Sequence, residues 1–281
     1  MQIPTGGIAF FDSGIGGLTV LATAKKLLPN QTFYYYGDNG RAPYGNLSPA
    51  TIMQYTTEAF EVFRLLKVKA AVLACNTATA VCAETLRRAY DFPIIGAEPA
   101  VFPAAARGGE ILVLSTRATF ESERFSRLCA RARIHYPFAR ITATPCDALA
   151  GIIEKNLTND TLDFTPYLPP TNKPLNAVVL GCTHYIYIKE KVAAYYGCET
   201  VDGNIGIANR LRFLLTVDHF DGKSQKNRDG QPLVTSSPFF ALEKDFCSIV
   251  TDGFSAPIFF LGAQNSRNKS IYEQMFAIPC K

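Results

Sequence analysis

The sequence lacks the features that mark a membrane, secreted or nucleic-acid-binding protein. No apolar run approaches the roughly 18 residues that a membrane-spanning helix needs. The first residues, MQIPTGGIAFFDSG, have no basic start and include Asp12, so they do not resemble a signal peptide. No run of like charge occurs, and 28 Lys and Arg against 24 Asp and Glu leave a net charge of only +4. We therefore expect a cytoplasmic protein that binds neither membranes nor nucleic acid.

The eight cysteines contain no CxxC pair, which argues against a zinc ribbon and a thioredoxin-type redox site. A chain of 281 residues can bury enough core to dispense with disulfides, so we expect reduced thiols. We also find no cluster of ligands with metal spacing, and we expect no metal. The default interpretation of any one cysteine is a small buried hydrophobic residue.

What the sequence does contain is a globular composition, 48% hydrophobic and 19% charged, with alternating strand and helix signals. Short continuous apolar runs indicate parallel strands buried on both faces. Amphipathic stretches separate them, and Ser48-Pro49 before one of these predicts a helix cap and first turn. This pattern predicts an α/β fold. The predicted strands are 8–11, 33–36, 71–74, 94–96, 111–114, 141–144, 177–180 and 200–202.

An internal repeat favours two sheets over one. The segments VLACNTATA (72–80) and VLGCTHYIY (179–187) both run from an apolar strand through a cysteine into a Thr-containing turn. Chance similarity is the alternative. Both cysteines would lie at the carboxyl end of a strand, where open α/β sheets bind their ligands. We therefore predict two pseudo-symmetric lobes, each a mostly parallel sheet flanked by helices, with the active site between them. Residues 1–97 plus 212–281 would form the first lobe and residues 98–211 the second.

The segment FFDSGIGGLTV (10–20) places Asp12 and Ser13 after the first strand and before a glycine run. Backbone amides at such a turn can hold an anion, although the glycines could simply make a tight turn. The spacing fits neither a Walker loop nor a dinucleotide fingerprint. The segment YYGDNGRAPYGNLSP (35–49) has the same form, a strand end followed by a polar loop.

Two cysteines have more specific surroundings than the default. Cys75 and Cys182 each follow a strand and precede a predicted helix start, whose N-terminus lowers a thiol pKa from about 8.5 toward neutrality. Asp12, Glu154 and His184 could tune these thiols, and the residues that could supply donors for a carboxylate are Asn76, Thr77 and Thr183. One thiol on each side of a cleft would suit inversion of a stereocentre, because one base removes a proton while a second acid delivers one to the opposite face.

Five motifs give the chain a family resemblance: FDSGIGG (11–17), YYGDNGRAPYG (35–45), ACNTA (74–78), GAEPA (96–100) and GCTHY (181–185). Over residues 8 to about 215 the sequence resembles the glutamate racemases, in the cofactor-independent aspartate/glutamate racemase superfamily. Residues 220–281 match less clearly, with 232–246 similar to the family's final strand and helix.

The resemblance implies roles for individual residues. Cys75 resembles the thiol that removes the α-proton of D-glutamate, and Cys182 the thiol that acts on L-glutamate. Asp12, His184 and Glu154 match groups that assist these thiols. The substrate-contacting positions would be Asp12, Ser13, Tyr44, Gly45, Asn76, Thr77, Thr116, Thr119, Thr183 and His184. Departures from the family pattern fall mostly in the second lobe, at Ser115, Ala118, Ile186, Gly203 and around Cys146.

The resemblance implies an enzyme that interconverts L- and D-glutamate at Cα without metal or pyridoxal phosphate. It also implies that the D-glutamate is used to build peptidoglycan. It also implies a homodimer as a candidate assembly. Two alternatives stay open. One is a racemase for aspartate or another acidic amino acid, and the other is a noncatalytic module that binds an amino acid.

Overall fold

The computed structural model describes residues 5–157, 159, 161–216, 247–249 and 258–261, with backbone alone for 247–249. These residues form two sheets. The first has the order β4-β3-β1-β2-β10-β9 and is parallel except for the antiparallel pair β9–β10, and the second, β6-β5-β7-β8, is parallel throughout. We call each sheet with its flanking helices a lobe. The two sheets confirm the predicted α/β class.

The strands of the first sheet are β1 (Ile8–Asp12), β2 (Phe33–Gly37), β3 (Ala70–Leu73), β4 (Ile94–Gly96), β9 (Cys247–Ile249) and β10 (Ile258–Leu261). Those of the second are β5 (Gly109–Ser115), β6 (Ala139–Pro145), β7 (Ala177–Gly181) and β8 (Glu199–Val201). All eight predicted strands overlap β1 to β8, and no strand end differs from its prediction by more than two residues. The continuous apolar runs are explained by burial on both faces: Ile8 and Phe10 enter one core cluster, while Ala9 and Phe11 enter the other.

The α-helices are α1 (Leu18–Leu27), α2 (Pro49–Leu65), α3 (Asn76–Ala89), α4 (Val101–Ala105), α5 (Arg117–Phe120), α6 (Glu123–His135), α7 (Leu149–Asn156), α8 (Lys189–Tyr196) and α9 (Asn204–Thr216). Short 3-10 turns cover Tyr44–Asn46, Thr165–Tyr167 and Thr183–Ile188. The predicted cap of α2 is confirmed, because the Ser48 hydroxyl accepts a hydrogen bond from Thr51 N–H and Pro49 occupies the first turn.

The division of the chain into lobes by residue number stays a proposal. The proposed return to the first lobe at residue 212 lies within α9, whose Ile207, Ala208 and Leu211 pack into a core cluster of the first sheet. The strand and helix suggested over 232–246 lie outside the described residues. No helix in the described part of the chain is long and apolar enough to cross a membrane.

The strand registers place the functional segments. Phe11 pairs with Leu73 in the first sheet, so Asp12 and Cys75 follow at the same carboxyl edge. In the second sheet Ser115 lies between Pro145 and Gly181, so Thr116 and Cys182 emerge together at the corresponding edge. Hydrogen bonds between the two lobes join these edges. The cleft predicted between the lobes is therefore the place where both cysteines lie.

Candidate active site

Cys75 lies at the N-terminus of α3 with its side chain almost fully buried. Its Sγ accepts a hydrogen bond from Ala78 N–H at 3.4 Å and donates to Ser13 Oγ at 3.5 Å. Burial and, to a smaller extent, the charge of Asp12 raise the pKa of this thiol to about 12, against the lowering effect of the hydrogen bonds with Ala78 and Ser13. The prediction that the helix N-terminus would bring the Cys75 pKa toward neutrality is wrong. Desolvation of a thiolate in this closed cleft outweighs one N–H donor.

Cys182 lies at the corresponding position of the second lobe, next to a charged pair. The distance from Cys182 Sγ to His184 Nδ1 is 3.8 Å, and His184 Nε2 hydrogen-bonds the carboxylate of Glu154 on α7. Burial lowers the pKa of His184, but its interactions with Cys182 and Glu154 outweigh this and raise the pKa well above the ordinary value. The raised pKa favours the imidazolium form of His184, which donates hydrogen bonds from both ring nitrogens.

Asp12 joins the two halves of the site. Its Oδ1 accepts from Gly14 N–H at 2.9 Å, and its Oδ2 accepts from the Thr183 hydroxyl of the second lobe at 3.1 Å. Burial raises the pKa of Asp12 from 3.8 to about 6, although the charge of His184 and both hydrogen bonds lower it. At pH 7 Asp12 is ionised for the most part, and its charge favours the thiol form of Cys75.

The electrostatic settings of the two cysteines therefore differ. Burial and the negative charge of Asp12 both favour the thiol form of Cys75, which is the form that donates a proton. The neighbour of Cys182 is the imidazole ring of His184, 3.8 Å from the sulfur. The two cysteines are also close enough for a charge on Cys182 to raise the pKa of Cys75. One site thus contains two thiols from opposite lobes, in different surroundings.

The glycine run after β1 makes the close approach of the lobes possible. A Cβ on Gly14 would lie 2.6 Å from Glu154 Oε2, and one on Gly16 would lie 2.8 Å from Thr183 Cβ and 2.9 Å from His184 N. The amides predicted to hold an anion are used by the protein itself, since Gly14 N–H donates to Asp12 and Ile15 N–H donates to Glu154 Oε2 at 3.4 Å. Glycine is needed here because the second lobe packs directly on the backbone of the turn.

We expect Gly16→Ala to lower kcat/KM by at least roughly tenfold, because about 1–3 kcal/mol of overpacking would separate Thr183 and His184 from the turn. The matched control is Gly40→Ala, since a Cβ at Gly40 meets no atom within 4 Å. The measurement for both variants is the rate of loss of optical activity of L-glutamate, the substrate that the family resemblance implies. Equal activity of the two variants would contradict the close-approach role of Gly16.

A cluster of hydroxyl groups closes the opposite side of the site. Thr77 Oγ1 on α3 lies 2.8 Å from Thr116 Oγ1 of the second lobe, which donates to Thr119 Oγ1 at 3.0 Å. Gly45 lies against Thr116, where an added Cβ would be 3.1 Å from Thr116 Cβ. Asn76 is buried, and its Oδ1 has no hydrogen-bond partner within the part of the chain that the structure describes. A buried acceptor without a partner suits a ligand that brings a donor, such as an ammonium group.

The structure thus brings all the residues proposed for the site to one cleft. They are Asp12, Ser13, Tyr44, Gly45, Cys75, Asn76, Thr77, Thr116, Thr119, Glu154, Cys182, Thr183 and His184. Their roles in binding and catalysis stay proposals. No group of three or more His, Cys, Asp or Glu that could hold a metal ion occurs among the described residues.

Sequence reasoning missed the residues that support this site. The Tyr44 hydroxyl donates to Asp38, whose carboxylate also pairs with Arg41. The Tyr35 hydroxyl donates to Gly14 O at 2.7 Å and fixes the glycine turn. Asp38 and Arg41 lie in the same motif as Tyr44, so their proximity could have been inferred. Nothing in the sequence indicates the contact of Tyr35.

Comparisons with known proteins agree with this geometry. The family model described as Asp/Glu/Hydantoin racemase matches residues 19–210. The glutamate racemase of Clostridium novyi is 39% identical over 222 residues, which cover 75% of this chain and 84% of that protein. The glutamate racemase of Clostridium perfringens is 36% identical over 233 residues, which cover 78% and 86%.

The same relationship holds for solved structures. The crystal structure of Escherichia coli glutamate racemase in complex with L-glutamate and the activator UDP-MurNAc-Ala superimposes with a TM-score of 0.69 and 31% identity. The match covers 79% of this chain and 87% of that one. The two-lobed α/β arrangement described above is the fold of that enzyme.

Proposed function

The chain belongs to the Asp/Glu/hydantoin racemase family and is an isomerase, and we propose that it interconverts L- and D-glutamate with Cys75 and Cys182 as its two acid–base groups. The observation that carries the proposal is the pair of buried thiols at the carboxyl edges of two different sheets, one beside Asp12 and the other beside the His184 imidazolium. The relatives that share this chain's sequence over most of their length are glutamate racemases.

In the direction from L- to D-glutamate, the Cys182 thiolate removes the α-proton, and the electron pair of the broken C–H bond stays on Cα. Cys75 then delivers the proton of its thiol to the opposite face of Cα, leaving the Cys75 thiolate. The reverse direction starts from the Cys75 thiolate and the Cys182 thiol. His184 stabilises the charge on Cys182, and Glu154 holds the imidazolium in position.

The weak acidity of Cα–H beside a carboxylate is the main chemical difficulty. A desolvated thiolate is a stronger base than one in water, so burial of Cys75, which raises its pKa to about 12, brings its basicity closer to that of the carbanion. The hydroxyl groups of the site supply donors for the two carboxylates of glutamate. They belong to Ser13, Thr77, Thr116, Thr119 and Thr183, of which Thr116 and Thr183 would give up their hydrogen bonds to Thr119 and Asp12 when the substrate binds. Asn76 Oδ1, which has no partner among the described residues, would accept a hydrogen bond from the substrate ammonium group.

We also propose that the product D-glutamate supplies peptidoglycan synthesis in the cytoplasm. The homodimer stays a proposal as well, and sedimentation of the purified protein at several concentrations would test it. Neither proposal affects the chemistry of the site, because every residue assigned to the reaction comes from one chain.

Circular dichroism of amino-acid solutions tests the proposed function. Purified protein, dialysed against a chelator, should drive the signal of L-glutamate to zero, because the two enantiomers have equal free energies. L-aspartate under the same conditions should change far more slowly. Rapid loss of the aspartate signal alone would identify an aspartate racemase. Binding of glutamate with no loss of optical activity would identify a noncatalytic module, and either result would overturn the proposal.

A further inference from the structure

Tyr187, which is not among the proposed catalytic residues, also connects the two lobes. It lies in the 3-10 turn Thr183–Ile188 of the second lobe, three residues after His184. Its hydroxyl donates to Ile15 O in the glycine turn of the first lobe at 2.8 Å. Its half-buried ring packs against core clusters of both lobes. Tyr187 is therefore bound to the turn by both a polar and an apolar contact.

The backbone of Ile15, which Tyr187 contacts, is also hydrogen-bonded to a residue of the proposed active site. Ile15 N–H donates to Glu154 Oε2, the oxygen that also accepts from His184. The side chain of Ile15 is fully buried in the core of the first lobe. A shift of this residue away from the second lobe would thus change the surroundings of Glu154 and the distance between Asp12 and Thr183.

Both thiols are almost inaccessible in this arrangement, with Cys75 5% and Cys182 6% exposed. The contact from Tyr187 to Ile15 crosses between the lobes, so it would break if the lobes separated to admit glutamate. We propose that Tyr187 is a positioning residue that holds the glycine turn against the second lobe in the closed arrangement of the site. This inference rests on the proposed racemase function and adds a determinant of substrate affinity to it.

The expected effect follows from the equilibrium between open and closed forms. Removing the hydroxyl in Tyr187→Phe should raise the ratio of open to closed enzyme about fivefold, the factor that one net hydrogen bond typically contributes. If only the closed form binds substrate productively, KM rises as the closed fraction falls, while kcat at saturation is unchanged. A defect in folding would instead lower kcat and leave KM as it was.

Two measurements on the full chain together give the change in the ratio of open to closed enzyme. The first is KM for L-glutamate, and the second is the rate at which iodoacetamide inactivates the enzyme without substrate, which follows the open fraction. The fold-change in KM multiplied by the fold-change in inactivation rate equals the change in the open-to-closed ratio, whatever the starting population. We expect a product of about five for Tyr187→Phe, with kcat within twofold of the parent.

Tyr196→Phe is the matched control, because the Tyr196 hydroxyl also donates to a carbonyl, Pro169 O at 2.7 Å, but within the second lobe. Its product should be about one. A product near one for Tyr187→Phe, or a fall in kcat with unchanged KM, would overturn the inference while leaving the racemase proposal intact. Failure of the parent protein to racemise glutamate would instead overturn the proposed function.

Discussion

Cys75→Ser and Cys182→Ser should each lower kcat for glutamate racemisation by roughly 10³-fold or more, in both directions, while the protein stays folded. An alcohol is a far weaker acid than a thiol, so serine supplies no base at neutral pH. Each direction of the reaction needs both groups, one to accept a proton and one to donate it, so loss of either should stop turnover. The measurement is kcat from the circular dichroism of each enantiomer.

The fold should tolerate these changes. Cys75 Sγ accepts from Ala78 N–H at the N-terminus of α3, and serine is among the preferred residues at that position. Cys82→Ser is the matched control, because Cys82 lies on the same helix, is fully buried, and also has its pKa raised to about 12 by burial. It should keep most of the parent activity. More than a few per cent of activity in either active-site variant would contradict the two-thiol mechanism.

His184→Gln should have the second-largest effect, a fall in kcat of roughly 100-fold, because it removes the cation beside Cys182. Glutamine keeps a side chain that can bond to Glu154 but carries no charge. The substrate-binding hydroxyl groups remain, so KM should change much less than kcat. Steady-state kinetics at pH 7 and thermal unfolding of the variant provide the measurement.

The control for this variant is His135→Gln, because His135 lies exposed at the end of α6, away from the cleft. Its kcat and KM should match those of the parent. If His184→Gln also retained the parent kcat, the imidazolium would have no part in the reaction, and the proposed role of Glu154 through His184 would be wrong as well.

The strands could be predicted because their sequences carry the signal locally. Residues 8–11 form a continuous apolar run, and each of them is fully buried on one face or the other of the first sheet. The cap at Ser48 and Pro49 is local in the same way. The position of β10 beside β2 could not be predicted, because strand order depends on contacts between residues more than 200 positions apart.

The arrangement of the site was predictable only in part. The motifs identified Cys75, Cys182 and Asp12, since each lies at or just after the carboxyl end of a strand that faces the cleft. The raised pKa of Cys75 was not predictable, because it depends on how completely the second lobe excludes water. The contact of Tyr187 with Ile15 was equally hidden, since the two residues are 172 positions apart.

Incorporation of solvent deuterium at Cα tests the central claim most directly, that two thiols act on opposite faces of one carbon. Protiated L-glutamate is converted in D₂O, and the earliest D-glutamate and the remaining L-glutamate are separated and examined by mass spectrometry. With Cys182 as base and Cys75 as acid, early D-glutamate carries deuterium almost completely while the remaining L-glutamate keeps its proton. The pattern is mirrored when the reaction starts from D-glutamate. Substantial protium in the earliest product would show that one base returns the substrate's own proton, and it would contradict the opposite roles of Cys75 and Cys182.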